Sequence, residues 1–244
     1  MKVFLLSQYA CDTAKQTLSE LGAVIELRAN PILPRPEQCH ADMQVAKINQ
    51  STAIFAPGTD EAAMEALSAY GISVQKGASC LSGKYPGNIA YNILKVGRMY
   101  FHNTHYTDGL IRTLAARSDA ASVFVHVKQG YAGCSSVAVG TDWLVTSDRG
   151  ILRAAQAHGI SCRYYIGTDR ILLRGYDHGL IGGCSGYDPD LGFLLHGTAD
   201  RNLHSCLPPG TALRELTAQP PEDIGGIAVF ETAEPCTFRG HIMG

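Results

Sequence analysis

The chain has 244 residues, enough for one large hydrophobic core or two small ones. Its 20 Lys and Arg against 22 Asp and Glu leave a net charge of −2, so no electrostatic reason exists to expect a nucleic acid or an anionic membrane as partner. An apolar content of 45% excludes a disordered chain, and no apolar run is long enough to span a bilayer.

The apolar opening at residues 3–6 is too short for a signal peptide and is predicted as a strand. A helix over residues 12–21 and a strand over 24–27 follow, with Gly22 expected to close the helix. His40-Ala41-Asp42-Met43-Gln44-Val45 then reads as the first strand of a new unit. Residues 52–56 form its second strand. Thr59 or Asp60 caps a helix through Met64 and Leu67, Gly71 ends it, and residues 72–74 are the third strand.

The same ββαβ order recurs at intervals of about 45 residues. The next unit begins at Tyr85-Pro86-Gly87-Asn88-Ile89 and has a helix from Asp108 with Leu110, Ile111 and Leu114 on one face. Another begins at Tyr131-Ala132-Gly133-Cys134-Ser135, with Ser147-Asp148 as helix cap and Gly159 as stop. A fourth begins at Gly179-Leu180-Ile181-Gly182-Gly183-Cys184, and Pro208-Pro209 cuts its helix short. The fifth is split. Residues 223–229 supply its first strand, and the N-terminal strand, helix and strand supply the rest. A repeat completed by both ends predicts a single domain over residues 1–244, closed by N- and C-terminal strands, which removes unpaired sheet edges.

The eight cysteines, Cys11, Cys39, Cys80, Cys134, Cys162, Cys184, Cys206 and Cys236, are scattered, with no paired metal-ligand spacing. No metal or cofactor is expected. Reduced thiols and a cytoplasmic location are the expectation for such a chain without an export signal.

Five ββαβ units in this order resemble the pentein propeller, the α/β fold of the guanidino-group-modifying enzymes. That superfamily includes deiminases, dimethylaminohydrolases and amidinotransferases, and also a non-catalytic ribosome anti-association factor. The resemblance implies a five-bladed β/α propeller with pseudo-fivefold symmetry and a central pocket. In the hydrolytic members one unit carries an acid beside Gly-Gly, the next carries His-x-Asp, and the nucleophilic Cys follows two units later. Here Asp223-Ile224-Gly225-Gly226 is followed around the ring by His40-Ala41-Asp42, and two units on by Gly133-Cys134.

The resemblance thus implies Cys134 as nucleophile, His40 as acid/base and Asp42 as the carboxylate that holds a guanidinium or amidinium cation. Asp223 or Glu222 would orient His40. One departure stands out: Ile224 occupies the place of the family's acid, and a one-residue offset on a strand turns Asp223 away from the pocket unless the strand is bulged. Asp177 and Asp188 are the available residues for a further acid. Cys184, in a Gly-rich segment, is a second candidate nucleophile. Asn88 and Asn92, four apart on a predicted strand, are candidates to hydrogen-bond a ligand's polar end.

A thiolate is the strongest side-chain nucleophile, and a guanidinium carbon needs one. Two functions follow. One is a cysteine-dependent hydrolase or transferase acting on a small guanidino or amidino compound. The other is a catalytically silent ring that binds a ligand or protein, favoured by the Asp223 offset and the lack of an obvious long covering loop. Each residue also has an ordinary reading: Cys134 as a small buried hydrophobe, His40 as a hydrogen-bonded histidine, Asp42 as partner of a backbone amide, and the two Asn as turn residues.

Overall fold

Each unit folds around one strand that is apolar along nearly its whole length. These are β1 (Lys2–Ser7), β4 (Thr52–Phe55), β7 (Met99–His102), β10 (Trp143–Thr146) and β13 (Gly192–Leu195), and all five are buried almost throughout. Such continuous burial suits a central strand. The computed structural model describes residues 1–232; Cys236 and the rest of the predicted domain to residue 244 lie outside the described residues.

In every unit the central strand pairs antiparallel with one neighbour and parallel with the other. The antiparallel partners are β3 (Val45–Asn49), β6 (Leu94–Val96), β9 (Ser136–Ala138), β12 (Ser185–Asp188) and β15 (Ala228–Glu231). The parallel partners are β2 (Gly22–Leu27), β5 (Ser73–Lys76), β8 (Val123–His126), β11 (Ser161–Tyr164) and β14 (Leu213–Glu215). The result is five three-stranded sheets, ordered β3-β4-β5, β6-β7-β8, β9-β10-β11, β12-β13-β14 and β15-β1-β2. In the last of these the two ends of the described chain meet, with Lys2 opposite Glu231 and Leu5 opposite Ala228.

A helix joins each pair of parallel strands: α1 (Asp12–Ser19), α3 (Glu61–Ala69), α4 (Gly109–Ser118), α5 (Arg149–Ala157) and α6 (Arg201–Cys206), with α2 (Ala41–Gln44) a single extra turn. Asp60, Asp108, Asp148 and Asp200 cap four of them, each carboxylate accepting a first-turn N–H. Such a cap contributes about 1 kcal/mol. Gly71 and Gly159 take left-handed φ values of 78° and 77° after their helices, as expected. Gly22 does not. It opens β2, where an added Cβ would sit 2.3 Å from the Lys2 carbonyl oxygen, so close strand approach is its reason.

The segments predicted to begin the first strands are tight turns instead, and each strand starts a few residues later. Ser135 N–H donates to Tyr131 O and Cys184 N–H to Leu180 O, both helical spacings. The reason lies in the neighbouring turns, which supply the hydrogen bonds a sheet partner would have supplied. Asp42 N–H donates to Gly225 O (2.9 Å), Gly226 N–H to Gly183 O (2.7 Å), and Gly183 N–H to Cys134 O (3.1 Å). Cys134 N–H donates to Asn92 Oδ1, and Asn92 Nδ2 reaches back to Met43 Sδ. The circuit visits all five turns and returns to the first.

A cavity of about 430 Å³ adjoins these turns. Its walls come from the antiparallel partner strand of every sheet, through Val45, Leu94, Ser136, Ser185 and Ala228. Asp42, Gly133, Gly182, Gly225 and Gly226 also line it. Among the described residues no helix is long and apolar enough to cross a membrane.

Candidate functional site

His40, Asp42, Cys134 and Asp223 come from three different turns and cluster together, with Asp42 the one of the four that lines this cavity. His40 precedes α2 and Asp42 lies within it, so the two are not alternate residues of a strand. His40 Nδ1 is 3.7 Å from Asp223 Oδ1 and 4.0 Å from Asp42 Oδ1. These are electrostatic contacts and not hydrogen bonds. Only 4% of His40, 4% of Cys134 and 5% of Asp223 is exposed.

Asp223 does not turn away from His40, because it lies in a turn and not on a strand. Its Oδ1 accepts from Gly225 N–H (3.1 Å), its Oδ2 from Leu180 N–H (2.9 Å), and Gly225 and Gly226 both take φ near +80°. This Asx-type turn absorbs the one-residue offset and aims the carboxylate at His40. Only glycine fits at Gly225, where a Cβ would lie 2.2 Å from His40 Cα. A Cβ on Gly183 would fall 2.0 Å from Asp223 Oδ1.

Asp42 is the anomaly of the cluster. Both its carboxylate oxygens are buried and neither has a hydrogen-bond partner of ordinary geometry. Burial raises its pKa to about 6; the His40 ring works against the shift and the Asp223 carboxylate adds to it. Burial and the charges of Asp42 and Asp223 likewise push the Cys134 thiol well above its ordinary value, and the amide of Asn92 pulls it back. A cation placed against Asp42 would lower both pKa values.

The other candidate residues separate. Cys184 is fully buried near Asp223, but its Sγ donates to Ile181 O within its own turn (3.4 Å). Asn88 and Asn92 lie in turns ahead of β6 and not on a strand. Asn88 Nδ2 donates to Tyr131 Oη (3.0 Å), whereas Asn92 belongs to the Cys134 site. Asp188 is remote from this chemistry: it pairs with Lys2 Nζ (2.9 Å) and accepts from Asp190 and Leu191 N–H in the β12–β13 turn. Glu222 faces Arg174 at 3.9 Å, and Asp177 is exposed. Strand-end acids were expected to converge, but the turns point these three elsewhere.

Sequence reasoning overlooked Glu37 and the loop it holds. Residues 172–178 form a largely exposed excursion whose base is closed by Gly179 N–H donating to Ile171 O (2.7 Å). Tyr176 Oη donates to Glu37 Oε1, so the loop bridges the segments that carry Asp223 and His40. The loop is short and its composition ordinary. The one available signal was Glu37 three residues before His40 in a proline-rich stretch.

Fold and site together define a mixed α/β protein of five three-stranded sheets with a buried cysteine, histidine and carboxylate cluster at the turns between them. The chain belongs to DUF6873, a family of unknown function whose model matches residues 5–227. No curated protein matches it.

Proposed function

We propose that this protein is a pentein-type ring that uses Cys134 as the nucleophile in hydrolysis or transfer at a small guanidino or amidino cation. The observation that carries the reading is Asp42, whose buried carboxylate oxygens have no hydrogen-bond partner of ordinary geometry, beside a thiol and at the wall of the cavity of about 430 Å³. Leaving a buried carboxylate unpaired is costly. A planar cation supplies the missing hydrogen bonds and charge. The hydrogen-bond circuit through five turns and the pairing of β15 with β1 support the ring.

In this reading the bound cation draws the Cys134 thiol toward thiolate, and its proton passes to His40. Sulfur attacks the amidinium carbon, and His40 protonates the departing nitrogen as the C–N bond breaks. His40 then takes a proton from water as the water oxygen adds to the thiouronium carbon. The C–S bond breaks, Cys134 recovers its proton from the new hydroxyl, and the proton left on His40 goes with the released amine. Asp223 holds His40 beside both partners.

A silent binding ring is the second reading, favoured by the depth of Cys134 and the elevation of its thiol pKa. A turnover screen over guanidino and amidino compounds, run on wild type and Cys134→Ser, separates the two. The enzyme reading expects turnover in wild type and none in the variant; no turnover by wild type on any compound overturns it.

A further inference from the structure

We infer that Asn92 is a positioning residue for Cys134, holding the ionised sulfur through an amide N–H and making no contact with the ligand. This rests on the reading of Cys134 as the nucleophile. Asn92 is fully buried, and its side chain forms four hydrogen bonds. Oδ1 accepts from Gly133 N–H (2.7 Å) and Cys134 N–H (3.1 Å). Nδ2 donates to Cys134 Sγ (2.8 Å) and Met43 Sδ (3.3 Å).

Two backbone donors fix which end of the amide is oxygen, so the end facing sulfur is the donor. All four bonding directions of the amide are then occupied, and none remains for a ligand. Gly133 permits this approach, since a Cβ there would lie 3.2 Å from Asn92 Oδ1.

The place of Asn92 in the circuit also argues for a role beyond packing. Three other turn-to-turn links are made backbone to backbone, by Asp42, Gly226 and Gly183. Between the second and third turns Gly133 N–H reaches both the backbone oxygen (3.4 Å) and the side-chain oxygen (2.7 Å) of Asn92; a backbone carbonyl alone could satisfy an N–H but could not donate to sulfur, as Asn92 Nδ2 does. A thiol sulfur is a weak acceptor and a thiolate a strong one, so the N–H favours the ionised form. It opposes Asp42 and Asp223, whose negative charges disfavour a thiolate.

The test is the pH dependence of Cys134 alkylation by iodoacetamide, read by peptide mass spectrometry, in wild type and Asn92→Ala. Loss of one charge-assisted donor raises the midpoint by about one pH unit, making alkylation below the midpoint roughly tenfold slower. A purely structural Asn92 gives the opposite result: a loosened turn exposes Cys134, and alkylation quickens with an unchanged or lower midpoint, which overturns the inference. Should Asn92→Ala not fold, the side-chain amide resonance of Asn92 in wild type replaces it. That signal should shift with pH alongside Cys134 ionisation and stay flat in Cys134→Ala; a flat signal in wild type overturns the inference. Neither arm uses a guanidino compound, so failure here leaves the proposed activity standing, and an absence of turnover leaves this result unaffected.

Discussion

Replacing Asp42 by Asn should stabilise the protein at neutral pH, and the gain should grow with pH. The Asp42 carboxyl titrates near 6 in the folded chain against an ordinary value of 3.8. Between these values the folded state binds more protons than the unfolded one, so the wild-type carboxyl loses stability as pH rises through the window. Two pKa units correspond to about 3 kcal/mol of destabilisation at pH 7.5, and about 1 kcal/mol is already present at pH 4.5. The difference between Asp42→Asn and wild type should therefore widen by about 2 kcal/mol across this range. For a chain of this size that is roughly 4–8 °C in Tm.

Calorimetric scans of both proteins at pH 4.5, 6 and 7.5 measure it. Comparing the change across pH cancels any fixed cost of burying the new amide. A difference that stays constant, or narrows with pH, would refute the account of Asp42 as a charge held unpaired for a ligand. Acetamidine should raise the Tm of wild type at pH 7.5 and leave Asp42→Asn unmoved, since the amidinium meets a carboxylate only in wild type. Functional sites carry such instability commonly, and removing it trades activity for stability.

Other substitutions probe the frame around the cluster. Asp223→Ala strips the acceptor from Leu180 and Gly225 N–H and should cost about 2–4 kcal/mol in urea denaturation; Asp223→Asn, which keeps one acceptor oxygen, should cost less. Gly225→Ala combines a φ of +80° with a Cβ 2.2 Å from His40 Cα, and its urea midpoint should fall further than that of Gly58→Ala, which has the same φ but open space around it. His102 donates from Nε2 to Ile89 O, and burial lowers its pKa to about 4. Its ring resonances should stay flat from pH 8 down to about 5, and protonation of the unfolded chain first should erode stability as pH falls below about 6.5.

The units were legible because their signals are local. Aspartate caps at residues 60, 108 and 148, the stops at Gly71 and Gly159, and five apolar central strands all read directly from neighbouring residues. The pairing of residues 2–5 with 228–231 followed from counting a unit split between the two ends. The first strands were placed too early because their leading residues find partners in other turns, a contact no local pattern records. The same blindness made Asp223 look misdirected, although Gly225 and Gly226 permit a turn that restores it. It also gave Asn88 and Asn92 one role, although only Asn92 reaches Cys134. Asp177, Asp188 and Glu222 neighbour glycine-rich segments in the sequence, but their surface or ion-pair settings depend on side-chain directions that chain spacing does not convey.

In the proposed reading Cys134 and Asp42 together recognise an amidinium. The decisive measurement is the rate at which Cys134 reacts with 2-chloroacetamidine relative to iodoacetamide, in wild type and in Asp42→Asn, with Cys134→Ser as the control for labelling elsewhere. The cation should pair with Asp42, lower the thiol pKa and seat its carbon against sulfur, so wild type should favour the amidine at neutral pH by at least about tenfold, a difference on the order of one charge-assisted contact. Asp42→Asn should abolish that preference while leaving the iodoacetamide rate undiminished. Equal rates with both reagents in wild type, or a preference that survives in Asp42→Asn, would contradict the account.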